Sequence, residues 1–494
     1  MQKDNFNLLG VSLGRNKDVN MEQNVQVKQA KMTKLLNRWS QRHLTVIGKI
    51  LVTKCYAVSQ IIHAMTVTTL TFKDIKEIQR IINSFVWSNT PAKVKHNVMI
   101  CPIEEGGLNA IDMQCQYKAL RIPWIWRMLR SDNWNSTLNY YLRNIGETKL
   151  VINCNYDKQT IQMLPVFYKE IFEYWKEVLF PFHPGLAIIW NNKGIKISNK
   201  TVYIDELYKQ GLVCIHHLLN DQNEFVDYDT FVTKYNTSVT KRFYGHLIKS
   251  IQRYMQTDNY ITELVYTRSE IFLGRRIYRL SSGNLVDISK AKSKIYYKEF
   301  LEMKKQSPSA CAKWLNTYNV SNEIFFRSLS LTKQATNETK LIAFQFKIVH
   351  NILNTRENLK KWDILDSEIC NCCNENYVDD IVHEFTGCKL SKQIICEAAK
   401  NLSLTNEFKK ISKTDFIFGS LDPAINNIIL LLIYTMHTAR QTNSCFSVVA
   451  FRKELYKRIE SDSKTLPEYK FNAKWATHLE LVSCAKTFFQ NLCA

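Results

Sequence analysis

Cys370, Cys373, His383 and Cys388 lie at the spacing Cys-x2-Cys-x9-His-x4-Cys towards the C-terminal end of the chain. Zn2+ takes thiolate and imidazole ligands in a tetrahedron, and a Cys-x2-Cys turn brings two sulfurs to one ion while the later pair closes the loop. The spacing reads as a four-ligand structural zinc site, which stabilises a fold and leaves no coordination position open for catalysis. The competing reading is a chance cluster of reduced thiols, since the chain holds 14 cysteines. Cys372 falls between the first pair and should point away from a metal held by Cys370 and Cys373, although spacing alone also permits it to replace either neighbour.

Size and charge bound what surrounds this site. A chain of 494 residues with 45% hydrophobic content is long enough for about two to four domains, each with its own core. Met1 to Leu13 lacks a basic-then-apolar leader, so the thiols are expected to be reduced and the chain intracellular, in nucleus or cytoplasm. The longest apolar run, Ile428 to Met436, falls far below the roughly 20 residues that span a bilayer, and no membrane partner is expected. A formal charge of +21, from 66 Lys+Arg against 45 Asp+Glu, makes RNA or DNA the expected partner, because each phosphate contact releases condensed counterions. The charge is blocked: residues 1–54 carry ten basic against three acidic residues and residues 268–314 eleven against four. The zinc window runs the other way, with Asp363, Asp366, Glu368, Glu375, Asp379, Asp380 and Glu384 and no Lys or Arg between Trp362 and Cys388. Phosphate contacts near it are therefore expected on a flanking helix carrying Lys340, Lys347, Arg356, Lys360 and Lys361, which the metal would hold in place.

The elements that position these residues read as mainly α, a multi-domain helical protein with minor β and a small zinc-stabilised module near the C-terminus. Phe6 to Val11 is a strand-like run too short to stand alone. Met21 to Arg42 turns helical, with Lys31, Lys34, Arg38 and Arg42 forming one basic stripe. Thr45 can cap a second helix whose apolar face is predicted at Ile47, Leu51, Cys55, Val58, Ile62 and Met65, and the two helices are expected to pack as a pair. A third follows Thr71, with Asp74 completing a capping box and Ile75, Ile78, Ile82 and Phe85 facing the core. Asp112 can cap a helix kinked at Pro123. Residues 131–280 are aromatic-rich, with Tyr168, Phe172 and Trp175 on one amphipathic helix and a short hairpin near Ile195 to Tyr203. Residues 281–335 read as basic linker or helix, in which Tyr296, Tyr297 and Phe300 could stack on bases or pack. Residues 336–400 hold the basic helix and zinc region, and 401–494 return to helix. His216, His217 and His350 are expected as surface or core residues, because no second Cys/His pair lies at ligand spacing.

Several segments, in order, resemble one family: Leu8-Leu9-Gly10-Val11; Trp39-Ser40-Gln41-Arg42-His43-Leu44-Thr45 with Gly48-Lys49; Phe85-Val86-Trp87; and Gly106-Gly107-Leu108. Leu164-Pro165-Val166-Phe167-Tyr168 with Tyr174-Trp175, Trp190-Asn191-Asn192, and Thr339-Lys340-Leu341 with Phe344 to His350 continue the series up to the zinc window. Together they resemble the part of a non-LTR (LINE-type) retrotransposon reverse transcriptase that follows the polymerase palm. The resemblance implies that residues 1–130 form a thumb-like domain gripping primer and template, that 131–280 are a wrist-like connection, and that Cys370, Cys373, His383 and Cys388 are the zinc ligands. It implies nucleic-acid contacts at the basic stripe, Lys49 and the flanking-helix lysines and arginine, with an upstream polymerase domain as a possible further partner. The endonuclease and palm would precede Leu8, so no catalytic residue is assigned and no enzyme activity is expected of this chain as it stands. Tyr377-Val378-Asp379-Asp380 imitates a polymerase Tyr-x-Asp-Asp signature. In a palm such acids hold two Mg2+ ions about 4 Å apart at a hairpin tip, whereas here they follow the cysteines inside the zinc loop and are expected as solvated loop acids. The alternative reading is a free-standing zinc-dependent nucleic-acid-binding or assembly protein derived from such an element.

Overall fold

A computed structural model describes residues 5–8, 10–14, 20–130, 132–267, 274–373 and 375–493. The fold is mostly helical, and sheet among the described residues is limited to three two-stranded antiparallel hairpins and isolated bridges. The chain forms two compact units, one from residues 1–32, 58–80 and 112–304, the other from residues 33–57, 81–111 and 305–494. No single described helix is long and apolar enough to cross a membrane.

The local signals set most of the helix boundaries. Thr71 and Asp74 exchange backbone bonds at 3.2 and 2.9 Å to start Phe72–Val86, and Ile75, Ile78, Ile82 and Phe85 are all buried. Thr45 accepts from Gly48 N–H to open Val46–Val52. The apolar face predicted beyond it is wrong in part: Leu51 and Cys55 are exposed, while Ile50, Val52, Ala57 and Ile61 are buried. A π-turn over Thr53–Ala57 inserts an extra residue per turn and rotates the buried face, which a constant helical period cannot anticipate. Asn5–Leu8 is not a lone strand either. It pairs with Val11–Gly14 through a turn at Gly10, whose φ of 78° suits glycine, while Leu9 lies outside the described residues.

In the first unit, helix Val166–Val178 buries Tyr168, Phe172 and Trp175, and the Trp175 indole donates to the Ile152 carbonyl at 2.9 Å. Asp112 caps Met113–Arg121 by accepting from Cys115 N–H at 2.7 Å, and the helix stops before Pro123. Arg121, fully buried, pairs with Glu170 at 3.1 Å and donates to the Thr66 and Thr68 carbonyls. The segment 281–335, expected as linker or helix, is folded, with hairpin Ile277–Arg279/Leu285–Asp287 leading into helix Ser293–Lys304. Ser281 and Ser282 donate to Glu299, Tyr296 and Phe300 are buried, and the Tyr297 hydroxyl accepts from Asp112 N–H. These rings pack; they do not offer faces to bases.

In the second unit, helix Pro423–Gln441 is buried almost all round and packs on Asn322–Ala335 and Thr339–Val349. Gln345 ties Thr339–Val349 to its neighbours, donating to Ser328 Oγ and to the Ile417 carbonyl. Burial holds the His350 imidazole at about 4, so the neutral ring donates from Nε2 to the Gly106 carbonyl at 2.7 Å. Gly107 is required beside it, because a Cβ there would lie 2.0 Å from the Cys101 carbonyl oxygen.

Replacing one member of a buried ion pair leaves the other unpaired, at a cost of about 3–5 kcal/mol. Arg121→Met should therefore lower the melting temperature of the chain sharply by circular dichroism, whereas Arg80→Met, at an exposed ion pair, should leave it nearly unchanged.

Candidate metal centre

Cys370 leaves a short β-bridge between Ile369 and Val378, locked by Cys370 N–H donating to the Tyr377 carbonyl at 2.9 Å and Asp379 N–H to Glu368 at 2.9 Å. The chain then turns so that Cys373 faces the same point as Cys370. His383 begins a single π-turn, His383–Gly387, which Asp380 caps by accepting from His383 N–H at 2.7 Å. Cys388 closes that turn through its N–H to the His383 carbonyl and starts helix Lys389–Asn401. Gly387 leaves the imidazole its place, since a Cβ there would come within 3.0 Å of Nδ1.

The four ligand atoms of Cys370, Cys373, His383 and Cys388 all lie within 4.8 Å of one another, and Cys373 Sγ is 3.3 Å from His383 Nε2. Zinc bonded to sulfur at about 2.3 Å and nitrogen at about 2.0 Å puts the S···N edge of a tetrahedron near 3.5 Å, so the residues present fit a single ion. Cys372 is half-buried and stands outside this set, as expected when its neighbours are the ligands. Burial pushes the Cys370 thiol up to about 12. Burial also opposes ionisation of Cys388, but the Ser391 and Leu390 N–H groups and Arg440 outweigh it and hold that thiol below its ordinary value.

Arg440, on the last turn of Pro423–Gln441, is the residue that sequence reasoning missed. Its guanidinium lies 3.1 Å from Cys370 Sγ, 3.8 Å from Cys388 Sγ, 3.3 Å from Cys372 Sγ and 3.3 Å from Asp379. Three thiolates and a neutral imidazole around a dication carry one net negative charge, and this cation balances it in a buried setting. The only sequence signal is a basic residue closing a helix, which is common. Glu384 lies 3.8 Å from Arg440 and accepts from the His437 ring at 2.7 Å. Asp379 is buried rather than solvated, and Asp380 is occupied with His383 N–H and the Tyr318 hydroxyl, which corrects the loop-acid reading.

The basic residues divide. Lys31, Lys34 and Arg38 are exposed on helix Val27–Ser40, and Arg42 lies just past its end with the guanidinium 4.7 Å over the Trp39 ring. The flanking helix is two helices, Thr339–Val349 and Arg356–Lys361, because Asn351 turns left-handed and Thr355 caps anew. Lys360 pairs with Glu368 and Lys361 with Glu357, so part of the second helix's charge is met within the protein. Arg356 is half-buried. Lys49 is buried, donating to Ser88 Oγ, and with Lys340 and Lys347 it lines one cavity.

Residues 295–394 match the family described as zinc-binding in reverse transcriptase. The match contains all four clustered ligands, so this segment is similar to the zinc-binding region of reverse transcriptases. A stretch of 126 residues, 24% of the chain, is 25% identical to a putative ribonuclease H protein of Arabidopsis thaliana. The match spans 20% of that protein's length.

Loss of the guanidinium should loosen the metal without removing a ligand. Arg440→Ala is expected to lower zinc affinity about 10–100-fold in a chelator competition, Cys388→Ser to remove the metal, and Cys372→Ser to leave one zinc per chain. A zinc affinity that falls with Cys372→Ser and holds with Cys373→Ser would reassign the ligands.

Proposed function

We propose that this chain is the nucleic-acid-binding part of a LINE-type retrotransposon reverse transcriptase that follows the polymerase palm, holding RNA or DNA strands while a structural zinc braces the holding surface. The observation that carries the reading is a continuous run of contacts from the metal cluster to the lysines. Glu384, next to His383, accepts from His437; the His437 ring packs 5.5 Å from Phe344; and Phe344 sits on helix Thr339–Val349 with Lys340 and Lys347. A metal that fixes His383 therefore fixes the helix that presents these ammonium groups. The zinc would be held by Cys370, Cys373, His383 and Cys388 and would supply cross-linking of the loop rather than chemistry.

The blocked positive charge supports the partner. Lys31, Lys34, Arg38 and Arg42 are exposed, and ten residues in all carry the proposed contacts when Lys49, Lys340, Lys347, Arg356, Lys360 and Lys361 are included. Polymerisation would belong to a palm, and Asp379 and Asp380 serve the zinc module instead. The chain would act inside the cell, in nucleus or cytoplasm, alongside a polymerase domain.

A salt titration of RNA and DNA binding by the purified chain tests the reading. Affinity should fall steeply with salt, by about 0.7 in log K per log unit of salt for each single-strand phosphate engaged. Zinc removal by chelator should weaken binding further, as should the combined change Lys31→Glu, Lys34→Glu and Arg38→Glu. No binding of either nucleic acid at low ionic strength contradicts it.

A further inference from the structure

Within the second unit, Lys49, Lys93, Lys340 and Lys347 line one half-open cavity of about 350 Å3, together with Trp87 and Tyr434, and no carboxylate lines it. Lys93 comes from a loop that carried no signal in the sequence reading. Its ammonium lies 3.6 Å over the Trp362 ring and 3.3 Å from Asn354 Oδ1, so neutral groups rather than an acid hold it in position. Among the described residues Lys347 has no acidic partner. Among the described residues Lys49 reaches the Ser88 hydroxyl and the Phe85 ring and no acid. Lys340 alone is shared with acids, Glu338 at 3.5 Å and Glu454 at 3.8 Å. The surroundings desolvate Lys49, Lys93 and Lys347, and Lys347 repels Lys93, so all three ammoniums sit below the ordinary lysine range. Like charges gathered with a counter-charge at Lys340 alone make an anion site. The volume is at the low end for a ligand pocket, about 300–1,000 Å3, which suits one nucleotide and not a duplex. Trp87 and Tyr434 offer partly exposed rings to a base, and the apolar floor includes Phe344.

We propose that this cavity is a single-nucleotide pocket, taking one phosphate between Lys93 and Lys347 with its base against Trp87. It rests on the nucleic-acid reading above and sharpens it: the strand must be unpaired where it enters. The source is either a nucleotide within a strand or a free nucleotide, and both present the same phosphate and base.

Binding of a fluorescein-labelled ten-nucleotide single-stranded RNA to the full chain, against a blunt duplex of the same sequence, tests it. Lys93→Ala with Lys347→Ala should weaken single-strand binding at least ten-fold and make the salt slope shallower by about 0.7, the share of one single-strand phosphate, with the duplex affected less. Trp87→Ala should weaken single-strand binding without changing the slope. Uridine monophosphate should displace the strand from the unaltered chain if free nucleotide enters; displacement only by short oligonucleotides assigns the pocket to a strand. Both support the pocket. Equal displacement by inorganic phosphate or by polyglutamate overturns it, since charge alone would then explain the site. So does a double variant that keeps its zinc and binds as the parent does. Should the double variant lose its zinc, displacement from the unaltered chain decides. Unchanged RNA binding in the variant refutes the pocket and leaves the broader reading standing, while uptake of uridine monophosphate by a chain that binds no RNA refutes the broader reading alone.

Discussion

Three sulfurs crowded within 4.8 Å of one another, in a site where Cys370 and Cys388 are both buried, cannot all carry charge unless positive charge is brought to them. Two sources meet here, a metal ion and the Arg440 guanidinium, and the local structure follows from where each must sit. The ion requires the β-bridge at Ile369–Val378 and the turn at His383–Gly387 to present their ligands to one point. The guanidinium requires helix Pro423–Gln441 to end beside that point, and the helix is fixed because every side chain from Ala424 to Ile433 is buried. A knuckle of short sequence is thereby attached to a long, well-buried helix of its unit.

The same arrangement redistributes charge. The acids of the zinc window looked like a barrier to phosphate, yet Asp379 and Glu384 face Arg440 and His437, and Glu368 pairs with Lys360. Among the described residues, basic side chains without an acidic partner lie elsewhere, on helix Val27–Ser40 and, Lys340 excepted, in the lysine-lined cavity under Phe344. The metal cluster and the lysine-bearing helix Thr339–Val349 are thus joined through packing: the ring of His437 bonds Glu384 on one side and meets Phe344 on the other. The similarity of residues 295–394 to the zinc-binding region of reverse transcriptases agrees with a bracing role.

Features encoded within a few residues were legible in the sequence. The ligand spacing, the Thr71–Asp74 cap and the Asp112 cap each depend on neighbours in the chain and are found where expected, whereas the kink expected at Pro123 is a full break between helices Met113–Arg121 and Trp124–Arg130. Failures arose where one residue changes a period or where distant segments meet. The π-turn at Thr53–Ala57 rotated a helix face that strict periodicity put at Leu51 and Cys55. The flanking basic helix was broken at Asn351, a residue that tolerates the left-handed conformation. Arg440 and Lys93 were invisible because nothing near them in sequence announces a sulfur cluster or a cavity. The acidic loop was misread for the same reason, its partners lying on a helix more than fifty residues later.

The central claim is that one zinc ion, held by three sulfurs and one imidazole, anchors this region. Zinc K-edge absorption of the purified chain addresses it directly. The account predicts a first shell of three sulfurs at about 2.3 Å and one nitrogen at about 2.0 Å, and a chain without bound zinc, or with a shell of four sulfurs or of oxygens, would contradict it.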